Sequence, residues 1–152
     1  MYIDCHCHLD NLRIYQDLDK VIENCRRNNV IAISAGVNKD SNRKVLEIGK
    51  KYPDVVKAAL GMFPFDAIGL ERNIEYSGKM PTKFDPDEEI EFIRKNKGSI
   101  IAISEVGLDK SIPNHQIEKQ QKIFQKIISL SEKIKKPLIV HSRKAELECI
   151  EA

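Results

Sequence analysis

No apolar run in this 152-residue chain approaches the roughly 20 residues that a membrane-spanning helix needs. The first residues lack the apolar core of a signal peptide and pass straight into the polar "CHCH" of residues 5–8. A cytoplasmic location and no membrane partner are the expectation. Charge of one sign is also lacking, because 25 Lys and Arg face 23 Asp and Glu, a net charge of +2. That balance argues neither for nor against a polyanionic partner, since a local basic patch can exist on a nearly neutral surface. The four cysteines (Cys5, Cys7, Cys25 and Cys149) contain no C-x-x-C pair, which argues against a common zinc knuckle or redox motif. In a reducing compartment they are expected to be free thiols, with Cys5 and Cys7 as small core residues facing helices. No internal repeat or low-complexity tract is visible. What is present is 41% hydrophobic and 32% charged residue content, which fits one soluble domain over residues 1–152 with a real core.

Short apolar runs alternate with helical patterns. Strands are predicted at 2–6, 30–36, 55–61, 100–105 and 138–141. Helices are predicted at 17–28, 41–52, 85–98 and 115–135, and another opens within 143–151. Leu18, Val21, Ile22 and Cys25 make one helical stripe; Ile117, Phe124, Ile127, Ile128 and Ile134 make another. The helix from Asp85 carries a cap and a proline in its first turn, acids early, bases late and Gly98 at its end. Continuous apolar strands between amphipathic helices imply a parallel sheet covered by helices. The connection 62–84 is long for such a fold and reads either as a functional loop or as a surface insertion.

The chemistry-bearing residues gather at predicted strand ends: His6 and His8 after the first strand, Glu105 after the fourth and His141 after the fifth. In parallel α/β folds that edge binds ligands. Strand alternation puts Asp4, His6 and His8 on one face and Ile3, Cys5, Cys7 and Leu9 on the other. Two imidazoles on one face, with a carboxylate and a further imidazole, make an ordinary ligand set for zinc or a similar divalent ion. A carboxylate can also bridge two ions. Each residue alone has a plainer role. His141 reads as a hydrogen-bonded strand end, Glu105 as a salt-bridge partner and His115 as a solvent-exposed residue at a helix start. Convergence from three strand ends favours the metal site. A cysteine-based zinc site at Cys5 and Cys7 would need Cys25 or Cys149 as a partner.

Four segments carry a family resemblance: "IDCHCHLD" (3–10), "ALGMFP" (59–64), "IAISEVGLD" (101–109) and "QKIFQKIISLSEKIKKPLIVHSRKA" (121–145). With them the chain resembles the TatD-like metal-dependent hydrolases, relatives of the amidohydrolase superfamily. The resemblance implies an α/β fold of the (β/α)8 TIM-barrel type. It implies that His6, His8 and Glu105 bind one divalent ion and that Glu105, the catalytic carboxylate, bridges to a second ion also held by His141. The ions would be Zn, Mg or Mn. Arg143, placed one turn past His141, would bind a substrate phosphate. Asp4 is expected to support a ligand histidine from the barrel interior, and Asp109 to cap a loop. The implied activity is hydrolysis of a phosphodiester, in DNA, by metal-activated water. An amidohydrolase-type C–N or C–O hydrolase on the same scaffold is the alternative.

Two departures from the family pattern stand out. Phe63 occupies a position where much of the family has a histidine, which bears on substrate choice. And a (β/α)8 barrel takes roughly 250 residues, whereas five strands are counted here. The chain is therefore expected to cover about the first five β/α units, an incomplete barrel. A later histidine and aspartate ligand would lie beyond residue 152. Such a chain is expected to be unstable alone, to self-associate or to pair with a separate C-terminal fragment, and a catalytically incomplete fragment is the further alternative. A truncated chain, a split gene and a frameshifted gene all fit.

Overall fold

A computed structural model describes residues 1–70 and 83–152. Five strands form one parallel sheet in sequential order: β1 (Tyr2–Cys7), β2 (Val30–Ala35), β3 (Val56–Leu60), β4 (Ala102–Asp109) and β5 (Leu138–Arg143). Between them run α1 (Leu12–Tyr15), α2 (Leu18–Arg27), α3 (Lys39–Lys51), α4 (Pro64–Ala67), α5 (Pro86–Lys95) and α6 (Ile117–Ile134), with α7 (Glu146–Ile150) following β5. The helix stripes read from periodicity are the buried ones. Leu18 and Ile22 of α2 and Phe124, Ile127 and Ile134 of α6 are buried against the sheet. Each such side chain contributes about 1.5–3 kcal/mol. Asp85 caps α5 by accepting from the Asp87 N–H at 2.8 Å, with Pro86 in the first turn. The helix stops at Lys95 on an Asn96 cap rather than at Gly98, and a 3-10 turn over Lys97–Ser99 follows.

The connection after β3 is only partly what the sequence suggested. Pro64, Phe65, Asp66 and Ala67 form the short buried α4, because Phe65 and Ala67 have apolar surface to cover. Residues 71–82 of that connection lie outside the described residues. His115 is half-buried at the start of α6 rather than solvent-exposed, since its own carbonyl accepts from the buried Gln120 amide and ties it to the core.

Two strand irregularities shape the C-terminal edge of the sheet. In β1, Asp4 pairs with Ala32 and Cys7 with Ser34, so Cys5 and His6 stand together opposite the single Ile33. In β4, Ile103 pairs with Leu138 and Val106 with Val140, so Ser104 and Glu105 stand opposite Ile139. Such bulges bend a strand and re-aim its side chains. The first one corrects the simple alternation. Asp4 shares the face of Ala32, which is buried under the helices, and is not an interior residue. Its carboxylate accepts from the His6 backbone N–H at 3.1 Å. Cys7 lies under α2 as expected, and burial together with the Asp4, Cys25 and Asp10 charges pushes its thiol up to about 12. Cys5 falls in the bulge and is exposed rather than under a helix; all four cysteines are free thiols.

Both edges of the sheet are open among the described residues. Tyr2 and Ile3 on β1 and Val140 on β5 are large exposed apolar side chains. This is the uncovered surface expected of an incomplete barrel.

Candidate metal centre

The two bulges bring together side chains that are 99 residues apart. The Nε2 atoms of His6 and His8 lie 3.5 and 3.4 Å from Glu105 Oε2. Ligand atoms from these three residues all fall within 4.8 Å of one another. The two imidazoles meet edge to face, with ring centroids 4.8 Å apart. The Nδ1 of His8 lies 2.9 Å from the Ala35 carbonyl, which can only accept. That contact keeps a hydrogen on Nδ1, so the proton the ring gives up is the one on Nε2, whose electron pair a cation beside Glu105 would take.

The other oxygen of Glu105 faces β5. His141 Nδ1 lies 2.8 Å from Glu105 Oε1, and His141 Nε2 lies 3.0 Å from Asp109 Oδ2. Asp109 caps the following loop as expected, accepting from the Ser111 N–H at 2.7 Å, and in addition β4 continues through it and buries it. The continuation depends on Gly107, at φ +142°, where an added Cβ would come within 2.0 Å of the His141 carbonyl oxygen. The signal was present in the string "EVGLD": strand alternation puts Glu105, Gly107 and Asp109 on one face, with the glycine leaving room between two carboxylates.

Position 61 is equally constrained. A Cβ on Gly61 would sit 2.2 Å from the Ser104 carbonyl carbon and oxygen, so the end of β3 lets the backbone bearing Glu105 approach. Asn42 holds that glycine from both sides, accepting from its N–H at 3.0 Å and donating to its carbonyl at 2.8 Å. Phe63 rests edge-on against the His141 ring, 4.7 Å between centroids, and against Phe65. Arg143 ends β5 rather than sitting one helical turn on, because α7 begins only at Glu146. It shares a strand face with His141, and its exposed guanidinium has no ion pair among the described residues. The structure thus joins His6, His8, Glu105 and His141 in one cluster and leaves Arg143 outside that cluster's contacts.

The charges respond to this packing. Burial alone would lower the His8 and His141 pKa values. The Glu105 carboxylate overrides it at both rings, helped by the Ala35 carbonyl at His8 and by Asp109 at His141, and both end above the ordinary 6.5. Burial would raise Glu105, but His141 and His8 hold it well below the usual carboxylate range. Asp109 is also pulled down, against burial, by Ser111 and His141. The stabilisation linked to the two histidines is complete below pH 6.5, their ordinary value, and is lost as pH rises through their raised values. That linked to Glu105 is complete above its ordinary 4.5 and is lost as pH falls through its depressed value. Thermal melts of the metal-free chain are therefore expected to show this cluster's contribution at its maximum between pH 4.5 and 6.5 and declining as pH rises above 6.5. Zinc competes with the histidine protons, so the rise in Tm on adding zinc should grow over the same alkaline range. A zinc-induced shift that shrinks with rising pH would contradict this assignment of charge.

The donor set suits zinc or a similar divalent cation, with two imidazole nitrogens from β1 and its C-terminal end and a carboxylate oxygen from β4 converging on one point. A thiol site at Cys5 and Cys7 is disfavoured, because the buried Cys7 thiol stays protonated near neutral pH.

The TatD related DNase family profile matches residues 3–152. The chain is 30% identical over 142 residues to an uncharacterized metal-dependent hydrolase of Methanocaldococcus jannaschii, covering 93% of this chain and 51% of that protein. It is 31% identical over 148 residues to the deoxyribonuclease TATDN3 of Homo sapiens, covering 94% of this chain and 52% of that protein. The chain thus spans about half the length of these curated relatives. Among solved structures, a TatD homologue of Escherichia coli superposes with a TM-score of 0.81 at 22% identity, over 99% of this chain and 54% of that one. That likeness bears out the expected architecture, five β/α units of a (β/α)8-type barrel. No helix among the described residues is long and apolar enough to cross a membrane. The fold, the strand-end cluster and the matched length agree: the chain belongs to the TatD related DNase family.

Proposed function

We propose that this chain carries the N-terminal part of a divalent-metal-dependent phosphodiesterase whose substrate is DNA. The observation that carries the reading is the approach of His6, His8 and His141 to the two oxygens of one carboxylate, Glu105. His6, His8 and Glu105 would hold one ion. Glu105 and His141 would contribute to a second, with Glu105 as the shared ligand. Two divalent ions, Zn, Mg or Mn, held there would supply activation of water and stabilisation of the charge that develops at phosphorus.

The chain's own residues prepare that chemistry. The Ala35 carbonyl orients His8. Gly61 admits the backbone that carries Glu105. Arg143, exposed on the His141 side of β5 and without an ion pair among the described residues, offers a guanidinium to a phosphate oxygen by paired hydrogen bonds. Phe63 presents an apolar edge beside His141, which favours an uncharged group of the substrate there. Glu105 and His141 give the second ion only two ligands, whereas zinc sites use three or four protein ligands. The remaining ligands are supplied by a further polypeptide segment, a C-terminal fragment or a second copy that also covers the open sheet edges. The deoxyribonuclease among the relatives supports DNA over amide or ester substrates.

Metal content per chain, measured by mass spectrometry on folded protein, tests the ligand set. The wild type should retain a divalent ion and the His6→Ala/His8→Ala double variant should lose it. Equal metal content in both would overturn the assignment. Phosphodiester, amide and ester substrate panels then separate the nuclease reading from an amidohydrolase one.

A further inference from the structure

We propose that Asp109 is a positioning residue that holds His141 as the Nε2–H tautomer and turns the Nδ1 electron pair toward Glu105. This rests on the reading above, in which His141 and Glu105 serve a common cation.

His141 is the one histidine of the cluster with both ring nitrogens engaged by carboxylates, Nδ1 by Glu105 at 2.8 Å and Nε2 by Asp109 at 3.0 Å. A carboxylate only accepts, so each contact as it stands asks the ring for a hydrogen. A ring that gives one nitrogen to a cation keeps a single hydrogen. The nitrogen beside Glu105, the shared ligand, is Nδ1. The hydrogen therefore belongs on Nε2, where Asp109 receives it. Outer carboxylates fix the tautomer and raise the basicity of metal-ligating histidines in this manner.

Asp109 is built for a fixed task. Its side chain is 1% exposed. The buried Gln120 clamps its backbone as a neighbouring strand would: the Asp109 N–H donates to Gln120 Oε1 at 2.8 Å and Gln120 Nε2 donates to the Asp109 carbonyl at 2.8 Å. The Ser111 N–H donates to Asp109 Oδ1 at 2.7 Å, leaving Oδ2 for His141. Phe63 packs edge-on against the same imidazole and limits its rotation. Glu105 joins the two halves of the cluster, meeting His6 and His8 through one oxygen and His141 through the other.

Asp109→Asn separates positioning from packing. The Ser111 N–H keeps the side-chain oxygen as its acceptor, so the amide NH2 faces His141 Nε2. A ring nitrogen facing a donor must accept, and the hydrogen moves to Nδ1. An amide replacing a triad carboxylate strands a catalytic histidine in the wrong tautomer by the same logic.

The experiment is long-range 1H–15N correlation of the histidine side chains in 15N-labelled protein, with His141→Gln to assign the signals. It is run metal-free at alkaline pH and again with zinc, alongside zinc titration calorimetry. In the wild type, His141 should carry its hydrogen on Nε2, a measurement that needs no variant to fold. In Asp109→Asn the hydrogen should move to Nδ1. The weaker zinc dissociation constant should rise about 10–100-fold, while the tighter one changes less than about 2-fold. A wild-type ring protonated on Nδ1, or an unchanged tautomer in a folded Asp109→Asn protein, overturns the proposal. If the tautomers behave as stated but the wild type binds a single zinc, the positioning role stands and the second ion needs the ligands of a further segment; if it binds none, the positioning role stands and the metal reading fails.

Discussion

Glu105→Gln is expected to strip the centre of metal and to silence any phosphodiesterase activity that the centre supports. The substitution keeps the size of the side chain and removes only its charge. Glu105 meets His6 and His8 through one oxygen and His141 through the other. A neutral amide offers a single oxygen, so it cannot serve both sides. The loss of affinity should exceed the roughly 10–100-fold that removal of an outer hydrogen-bonding partner costs. A second readout follows in the metal-free protein. The Glu105 charge is what overrides burial at His8 and His141, so both imidazole pKa values should drop in the variant. Metal content by mass spectrometry and histidine titration by NMR check the two outcomes independently. Retained metal with unchanged titration would show that Glu105 is not the shared anion of the cluster.

The second large effect is on stability, at Glu89→Ala. Glu89 is 1% exposed on α5, yet its carboxyl group is central to a network. Arg43 Nη1 reaches both of its oxygens, at 2.5 and 2.6 Å, and Asn42 Nδ2 donates to Oε1 at 2.7 Å. The guanidinium also stacks 3.5 Å over the Phe92 ring. Through Asn42 the network reaches Gly61 and so the backbone that carries Glu105. Removing one partner of a buried pair costs about 3–5 kcal/mol. Arg43 is partly exposed and can regain water, so about 3 kcal/mol is expected. In a domain of this size that lowers Tm by roughly 6–12 °C. Thermal unfolding of the metal-free protein measures it, and a shift under about 2 °C would mean that the pair adds little to the fold.

The order of elements and the candidate ligands were legible in the string because they depend on local pattern. Continuous apolar runs such as "VIAISA" have no stable place but a sheet covered on its faces, and the stripes of α2 and α6 bury what their spacing says they bury. His6, His8, Glu105 and His141 could be named from strand ends alone. Arg143 was named as well, but on the wrong element, because nothing local marks where β5 yields to α7.

Pairing between strands decided the rest. A period of two assumes an unbroken ladder, and the bulges at Cys5–His6 and Ser104–Glu105 break it. The first moved Asp4 to the helix side and exposed Cys5; both bulges aim ligands at a common point. The contact of Asp109 with His141 is not legible in the string, because the two residues are 32 apart in sequence. The sequence by itself determined which elements form and which side chains can bind a cation. Only the tertiary structure decided which of those side chains meet, because a bulge, a glycine at positive φ and a buried amide clamp exert their effects across strands rather than along them.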